Sequence, residues 1–309
     1  MECFLKKIKE MELIDNSIER GQRIVEKAVL ITGGSAGIGK ALAKIVSEKY
    51  KYKVLIVGRN EEQMKDIVKE CSNIDFIKAD LSKADGIKKI VEAVSQRNTK
   101  LNYLVNNAAV QNLSLLKDIT EEQFDESMNV NVKAPLMLVK GLMETNMFEK
   151  NTRILMVSSS SRYNIQKGMG LYSVSKEAMF TLHKVMKKEY AESLLISSVY
   201  PGTVYGTKTA KGMEASKIPE IIELRKDMKE FLSSNKSIRI LSPDQAALFI
   251  SWVLCNTSDE EYIKPKLARN FNDTVINEEE WDIRDCEFYI NCPYKDGTKL
   301  KQLANFLGK

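Results

Sequence analysis

The stretch Thr32-Gly-Gly-Ser-Ala-Gly-Ile-Gly39 directly follows an apolar run, Ala28 to Ile31, and opens a segment with helical periodicity. At such a strand–turn–helix junction, glycines let the backbone approach a phosphate, and the helix N-terminus supplies free N–H groups and positive dipole. The spacing T-G-x-x-x-G-x-G in this context predicts a dinucleotide-binding turn. The alternative is a glycine-rich loop that binds no ligand.

Outward from this turn, short apolar runs alternate with helical segments. The candidate strands are Ala28–Ile31, Val54–Val57, Ile74–Ile77, Tyr103–Val105, Ile154–Val157 and Leu195–Tyr200. The candidate helices run from the glycine turn to about Tyr50, from Glu61, from Glu121 to about Glu144, and around Tyr172. Strand–helix–strand alternation requires crossover connections and therefore parallel strands. We expect an α/β fold: a single Rossmann-type doubly wound parallel sheet with helices on both faces.

The last third of the chain carries fewer signals. A helical pattern runs around Glu220 to Leu232. In Ser242-Pro-Asp-Gln245, serine is an N-cap, proline takes the first helical position and glutamine completes a capping box, which predicts a helix from Pro243 to about Cys255. Trp281-Asp-Ile-Arg284 is a candidate seventh strand, with an irregular insertion before it.

Composition excludes several classes of protein. With 309 residues, of which 43% are hydrophobic and 29% charged, the chain is typical of a globular protein rather than a disordered or fibrous one. The five cysteines form no C-x-x-C pair, and His183 is the only histidine. We therefore expect no metal site, no disulfide framework and no Ser-His-Asp triad.

The charge balance and the hydropathy bear on partners and location. A net charge of +5 from 47 basic and 42 acidic residues is a mild excess, and we expect no nucleic-acid partner. No apolar run approaches the roughly 18 residues that a membrane span needs, and the first ten residues lack the apolar core of a signal peptide. The expected location is the cytoplasm, with reduced cysteines.

Tyr172 and Lys176 are four residues apart, so on a helix they share one face. A free phenol titrates near a pH of about 10, and an ammonium group at ion-pair distance favours the phenolate and lowers this pKa. The pair is therefore a candidate acid/base. The spacing alone is weak evidence, because a lysine-rich chain also produces it by chance.

Four motifs occur in register: the glycine turn, Asn106-Asn-Ala-Ala109, Ser159, and Tyr172-x-x-x-Lys176. Together they resemble the short-chain dehydrogenase/reductase family over roughly residues 27 to 204. Ser159 lies thirteen positions before Tyr172, the separation that the family has between its catalytic serine and tyrosine. Ser158 is the main rival, because the serines form a run of four.

The chain departs from the family pattern at three places. Ala109 stands where the family usually has glycine, which adds a methyl group near the cofactor. Ala36 stands where the family often has a second basic residue. Gly206 occupies the position of a threonine that often contacts the nicotinamide carboxamide, and Thr207 follows it.

The resemblance implies a catalytic role for four residues. Tyr172 would protonate a carbonyl oxygen, and Ser159 would hydrogen-bond the same oxygen. Lys176 would lower the pKa of the phenol and bind the nicotinamide ribose. Asn131 would hold a water that relays protons to the lysine, with Asn129 as the competing choice.

The resemblance also implies a cofactor site. The end of the second strand reads Val57-Gly-Arg-Asn60, where an acidic residue would accept from the adenosine ribose of NAD. Arg59 can instead pair with the 2′-phosphate of NADP, so we expect NADP(H) to be preferred over NAD(H). The expected cofactor-binding residues are Gly33, Ser35, Gly37, Ile38, Gly39, Arg59, Asn60, Asp80, Leu81, Asn107, Tyr172, Lys176 and Val204, with Asp80 and Leu81 at the adenine and Asn107 at the adenosine-side ribose.

The implied function is NADPH-dependent reduction of a small-molecule ketone, aldehyde or diketone, and the chain slightly resembles the yeast benzil reductase and sepiapterin reductase branch. The implied domains are an extension over residues 1–26, a Rossmann domain over 27–288 with a substrate lid at about 203–241, and a tail over 289–309. The expected wall residues are Tyr205, Met213, Ile218 and Leu224 from the lid, and Ser160, Arg162, Tyr163 and Met169 opposite them. A non-catalytic NADP(H)-binding regulator or scaffold is the alternative.

The family also implies a homodimer or homotetramer, formed through the helices at 121–144 and 172–191. Met143, Met147 and Phe148 are the candidate contacts.

Overall fold

One sheet organises the part of the chain that the structure, a computed structural model, describes: residues 27–162, 165–201, 204–234, 241–263, 267–270 and 274–277. Its strands are β1 (Ala28–Thr32), β2 (Lys53–Gly58), β3 (Ile74–Lys78), β4 (Leu101–Asn106), β5 (Phe148–Val157), β6 (Leu194–Tyr200), β7 (Leu267–Asn270) and β8 (Thr274–Asn277). Their order is β3-β2-β1-β4-β5-β6-β7-β8. Neighbouring strands from β3 to β7 pair parallel, and β8 pairs antiparallel with β7. The predicted doubly wound α/β fold is confirmed.

All six predicted strands are present, each slightly longer than its apolar run. The largest difference is β5, which begins at Phe148, six residues before the predicted start. β7 and β8 lie in the segment where the sequence predicts an irregular insertion. The predicted strand at 281–284, the extension at 1–26 and the tail at 289–309 lie outside the described residues.

The helices are α1 (Gly37–Tyr50), α2 (Glu61–Glu70), α3 (Ala84–Gln96), α4 (Glu121–Met128), α5 (Ala134–Glu144), α6 (Gly170–Glu189), α7 (Lys208–Ala215), α8 (Pro219–Ser234), α9 (Pro243–Asn256) and α10 (Asp259–Ile263). The predicted capping box before α9 is present, because Ser242 Oγ accepts from Gln245 N–H and the Gln245 side chain accepts from Ser242 N–H. None of these helices is long and apolar enough to cross a membrane, as judged over the residues that the structure describes.

Helices cover both faces of the sheet. On one face, α3, α5 and α6 contribute Ile90, Leu138 and Met179 to the core, and Phe148 of β5 is buried there as well. On the other face, α1, α2 and α9 contribute Leu42, Ile67 and Ile250. Burial of each such side chain stabilises the fold by about 1.5–3 kcal/mol. Strands covered on both faces are apolar throughout, which is why they stand out in the sequence.

Phe148, a predicted contact with another subunit, is buried in the core of its own chain. Met143 and Met147 are half-buried and pack against the same core cluster.

The predicted long helix from Glu121 to Glu144 is interrupted. A π-helical turn, Asn129–Lys133, separates α4 from α5. Such turns add a residue to the helix and often lie at functional sites. Here the turn carries Asn131 and buries its side chain.

The strand order reverses between β1 and β4. The helices that follow these two strands leave in opposite directions, so a crevice forms at their carboxyl ends. This crevice is where the sequence motifs meet.

Candidate active site

A cavity of about 680 Å³ lies at the carboxyl ends of the strands, and we refer to it as the central cavity. The predicted site residues that line it are Gly33, Ser35, Gly37, Ile38, Arg59, Asp80, Leu81, Asn107, Ser159, Tyr172, Lys176 and Val204. Three predicted site residues, Gly39, Asn60 and Asn131, do not line it. Segments separated by more than 100 residues in the chain thus meet around one space.

The glycine turn forms one end of the central cavity. Gly33 has a positive φ of 68°, and a Cβ there would lie 2.9 Å from Ala108 Cα. Gly39 packs against the turn itself, because its Cβ would lie 2.4 Å from the Gly33 carbonyl oxygen. Gly39 thus packs at the contact between helix and strand, and its predicted contact with the cofactor stays a prediction.

The N-terminus of α1 opens into this end of the cavity. No side chain caps it, and its first turn contains no acidic residue. The first N–H groups of a helix have no intrahelical partner and favour an anion. With the glycines that leave room beside them, these groups fit the pyrophosphate of a dinucleotide.

Arg59, the predicted partner of a 2′-phosphate, lies directly after β2. Arg59 lines the central cavity, its side chain is 57% exposed, and its Nη1 lies 3.3 Å from Glu126 Oε1. Asn60 instead caps α2, because its Oδ1 accepts from Gln63 N–H at 3.0 Å. Asn60 thus caps a helix, and its predicted cofactor contact, like that of Arg59, stays a prediction.

Asp80 and Leu81 line the cavity after β3. The Asp80 Oδ1 accepts from the N–H of Ser82 at 3.0 Å and from its hydroxyl at 2.9 Å. Burial disfavours the charged form of Asp80, but these hydrogen bonds and the charge of Arg59 lower its pKa below the usual value. The Asp80 carboxylate is therefore ionised and fixed in orientation.

Asn107 joins the ends of β1 and β4. Its Nδ2 donates to the carbonyl oxygen of Thr32 at 2.9 Å, and its N–H donates to Thr32 Oγ1 at 3.0 Å. The same Oγ1 accepts from Ala108 N–H at 3.0 Å. Asn107 thus holds the cavity floor together as well as lining it.

Asn131 stands behind the cavity wall. Its Oδ1 accepts from Val110 N–H, its Nδ2 donates to the Val110 carbonyl oxygen, and Nδ2 also donates to Ser175 Oγ, each at 2.9 Å. These bonds tie the segment after β4 to α6 beside Lys176. The role in proton relay stays a prediction.

Ser159 follows β5 and belongs to a run of four serines, all of which line the cavity. Its Oγ accepts from Ser161 N–H at 3.2 Å and from Ser161 Oγ at 3.0 Å. It is also hydrogen-bonded to Tyr172, which favours Ser159 over Ser158 as the partner of the phenol.

Tyr172 and Lys176 lie on the face of α6 that packs against the sheet. Their side chains are buried: Tyr172 is 7% exposed and Lys176 only 2%. The Lys176 Nζ donates to the Val157 carbonyl oxygen at 3.0 Å and lies 5.6 Å from the centroid of the Tyr172 ring. The predicted shared face is therefore present.

The pKa of the phenol differs from the expectation. Burial raises the pKa of Tyr172 to about 12, although the hydrogen bond with Ser159 acts in the opposite direction. Burial lowers the pKa of Lys176 to about 8. Desolvation is the main cause of both shifts, because it penalises the charged form of each group. The expected depression of the Tyr172 pKa is thus wrong for this arrangement.

Described residues of the segment between β6 and α9 line part of the cavity. From it, Val204, Met213 and Leu224 line the space, and Met169 faces them from the loop before α6. Ile218 packs with Met169 and Tyr172 in a small apolar cluster without lining the cavity.

Two predicted wall residues lie elsewhere. Tyr205 is 55% exposed and does not line the cavity. Arg162 is buried and does not line the cavity either. Tyr163 lies outside the described residues.

Sequence reasoning missed several lining residues, among them Gln111, Thr207, Lys208, Thr209 and Asp227. Thr207 caps α7, and the Cβ that Gly37 lacks would contact its methyl group at 3.6 Å. The one sequence signal for Thr207 is its position directly after Gly206, where the family often has a threonine. The other residues reach the cavity through tertiary packing, which leaves no local pattern.

Comparison with curated proteins finds distant relatives. An uncharacterized oxidoreductase of Staphylococcus aureus is 23% identical over 209 residues, which is 64% of this chain and 90% of the relative. An uncharacterized oxidoreductase of Staphylococcus epidermidis is 27% identical over 184 residues, which is 59% of this chain and 80% of the relative.

Comparison with solved structures finds the same fold. A short chain dehydrogenase from Burkholderia cenocepacia in complex with NADP has a TM-score of 0.61 at 22% identity, covering 75% of this chain and 92% of the other. An angucycline C-6 ketoreductase with bound NADP has a TM-score of 0.62 at 23% identity, covering 77% and 91%.

The model of the family described as short chain dehydrogenase matches residues 27–217, which is more than half of the chain and includes the glycine turn, Ser159, Tyr172 and Lys176. This chain therefore belongs to the short chain dehydrogenase family of oxidoreductases.

Proposed function

We propose that this protein reduces the carbonyl group of a small molecule to an alcohol with NADPH, and that Tyr172 is the proton donor. The observation that carries the proposal is the position of Tyr172. Its hydroxyl is hydrogen-bonded to Ser159 in the buried wall of a cavity that the glycine turn also lines. A cofactor and a carbonyl compound can therefore lie side by side in one space.

The protonation states suit reduction. A phenol with a pKa of about 12 keeps its proton at neutral pH, so Tyr172 can donate it to an oxygen that gains negative charge. Ser159 can hydrogen-bond the same oxygen, and Lys176, protonated below its pKa of about 8, stabilises the phenolate that remains. Asn131 holds the wall segment and Ser175 in place, and we propose that it also supports the return of a proton to Lys176.

The cofactor-binding residues are proposed from the cavity lining. The N-terminus of α1 with Gly33, Ser35 and Gly37 would hold the pyrophosphate, Asp80 and Leu81 the adenine, and Asn107 the adenosine-side ribose, while Tyr172 and Lys176 would reach the nicotinamide ribose. When bound, the cofactor supplies a hydride to the carbonyl carbon. Ile38 and Val204 would pack against the cofactor, since both line the cavity.

Arg59 carries the preference for NADP(H). It is the residue at the cavity rim where β2 ends, and its guanidinium group is exposed enough to exchange Glu126 for a phosphate. The solved structures with bound NADP described above support this choice.

The apolar wall beside the phenol narrows the substrate class. Met169, Met213 and Leu224 offer a hydrophobic surface next to Tyr172. Such a wall suits ketones, aldehydes or diketones with apolar or aromatic substituents. Diketones of the kind that benzil reductases accept, together with pterin-like carbonyls, are the first compounds to test.

The decisive experiment pairs a substrate panel with the Tyr172→Phe variant. We expect the wild-type protein to oxidise NADPH many-fold faster than NADH across aldehydes, ketones and diketones. Tyr172→Phe should lose at least about a hundredfold in kcat, because the proton donor is gone, and should still bind NADPH. An NADPH-binding regulator would instead keep its cofactor affinity without measurable turnover in either protein, and faster oxidation of NADH would refute the cofactor choice.

We also propose a cytoplasmic homodimer or homotetramer. Val174 and Val185 are exposed on the outer side of α6, which offers apolar surface to a second subunit. Light scattering at micromolar concentration tests this assembly, and a strict monomer would refute it.

A further inference from the structure

We propose that Ser161 and Arg162 form a positioning unit that holds the hydroxyl of Ser159 in the orientation needed for catalysis. The unit is the short 3₁₀ turn, Ser160–Arg162, that directly follows Ser159. The proposal rests on the proposed function and adds two residues to it. Ser161 orients Ser159 directly, and Arg162 anchors the turn.

Ser161 occupies the acceptor side of Ser159. The Ser161 N–H and the Ser161 hydroxyl lie 3.2 Å and 3.0 Å from Ser159 Oγ, and both donate to it. A serine hydroxyl has two lone pairs and one proton. With both lone pairs engaged, Ser159 can only donate, and its proton points toward Tyr172 or a carbonyl oxygen beside it.

Arg162 fixes the turn from behind. Its side chain is 2% exposed. Its Nη1 lies 3.1 Å from Glu177 Oε2, its Nη2 donates to the Tyr200 hydroxyl at 2.9 Å, and its guanidinium carbon lies 3.2 Å from the centroid of the Phe180 ring. One planar group thus makes a charge-assisted bond, a second hydrogen bond and a stacking contact at the same time.

The partners of Arg162 adjoin the reacting groups. Glu177 directly follows Lys176 on α6, and Tyr200 directly precedes Pro201, which lines the central cavity. The guanidinium group therefore locks the turn after β5 to α6 and to the end of β6. Loss of this lock would let the turn shift and carry Ser159 away from Tyr172.

Lysine cannot replace Arg162 in this role. A lysine keeps the positive charge but presents a single point donor, so it cannot bind Glu177 and Tyr200 while lying flat on Phe180. The conservative variant Arg162→Lys therefore keeps the positive charge and removes the planar group with its several donors. Tyr200→Phe removes the hydrogen bond between Arg162 and the Tyr200 hydroxyl and keeps the ring.

The experiment measures kcat, KM and NADPH affinity for Ser161→Ala, Tyr200→Phe and Arg162→Lys with the best carbonyl substrate of the panel. We expect kcat to fall about tenfold for Ser161→Ala and up to about a hundredfold for Arg162→Lys, because a shift near 1 Å at a reacting group can cost that much. NADPH affinity, read by fluorescence, should stay within twofold. Arg153→Lys, a change at a buried arginine that is remote from the cavity, is the matched control and should leave kcat unchanged.

A double-mutant cycle distinguishes positioning from general structural damage. In the Ser159→Ala background, Ser161→Ala and Arg162→Lys should change kcat by less than about twofold, because they act through the hydroxyl that is already gone. Effects as large as in the wild-type background would overturn the proposal, and so would a Ser161→Ala variant with wild-type kcat. If Arg162→Lys does not fold, the kcat values of Ser161→Ala and Tyr200→Phe test whether the turn positions Ser159. A wild-type protein that reduces no carbonyl would refute the proposed function itself, and the positioning role would fall with it.

Discussion

Arg153 and Arg162 lie nine residues apart, in β5 and in the turn that follows it, and they have similar surroundings. Both side chains are buried, 10% and 2% exposed, and each is paired with a half-exposed carboxylate. Each guanidinium group also lies against an aromatic ring, Tyr262 at 4.8 Å and Phe180 at 3.2 Å. By burial and pairing alone, the two residues would be assigned the same role.

They differ in what they connect. Arg153 binds the carbonyl oxygen of Leu254 at 2.8 Å, the carbonyl oxygen of Thr257 at 2.7 Å and the carboxylate of Asp259 at 2.7 Å, all around the end of α9 and the start of α10. None of these residues lines the central cavity. Arg162 instead connects three segments that do. A buried cation thus becomes a functional candidate through the elements that it connects.

The largest expected effect is on stability, at Arg153. Arg153→Met leaves two buried carbonyl oxygens without their donor, and each such loss costs about 1–3 kcal/mol. We expect the free energy of unfolding to fall by about 3 kcal/mol, whereas kcat per folded molecule stays within twofold of wild type. Urea denaturation and kinetics normalised to bound NADPH measure the two quantities. A large fall in kcat at this remote site would remove the distinction between the two arginines.

That distinction could not be predicted from the sequence, although much else could. The glycine turn and Tyr172-x-x-x-Lys176 are local patterns, in which the spacing alone fixes the conformation or the shared helix face. The six core strands are apolar throughout because both faces of the sheet are covered. These parts were predicted, and the structure has them.

The errors have a common physical cause. Arg162 was expected in the cavity wall, but its side chain turns away to Glu177 and Tyr200, which are 15 and 38 residues distant in the chain. The raised pKa of Tyr172 likewise depends on burial by neighbouring elements. Such features arise from tertiary packing, and no spacing in the sequence encodes them.

The next effect concerns His183, which lies near Arg162 and not near Arg153. It is 1% exposed, and burial, followed by the charges of Lys187, Arg162 and Lys184, lowers its pKa to about 3. The unfolded chain takes up a proton near a pH of about 6.5, whereas the folded chain does not. Stability therefore falls as the pH drops below about 6.5, by up to about 1.4 kcal/mol per pH unit.

We expect the wild-type protein to lose on the order of 1.5 kcal/mol between pH 6.5 and pH 5, since His183 is the only histidine in the chain. His183→Leu removes the titrating group and should flatten this dependence. Urea denaturation of both proteins at the two pH values measures it. An equally steep dependence in the variant would show that carboxylates, not His183, control stability in this range.

The smallest expected effect concerns Glu177 and Asp259, the carboxylate partners of Arg162 and Arg153. They are 50% and 54% exposed, so solvent screens each ion pair, and Glu177→Gln and Asp259→Asn should each cost only about 0.2–1 kcal/mol of stability. Their effects on turnover should differ. Glu177→Gln loosens one of the contacts that hold Arg162 and should lower kcat about two- to threefold, while Asp259→Asn should leave kcat unchanged. The two changes are matched in chemistry, exposure and stability cost. Equal kcat values in both variants would therefore mean that the contacts of Arg162 do not affect the position of Ser159.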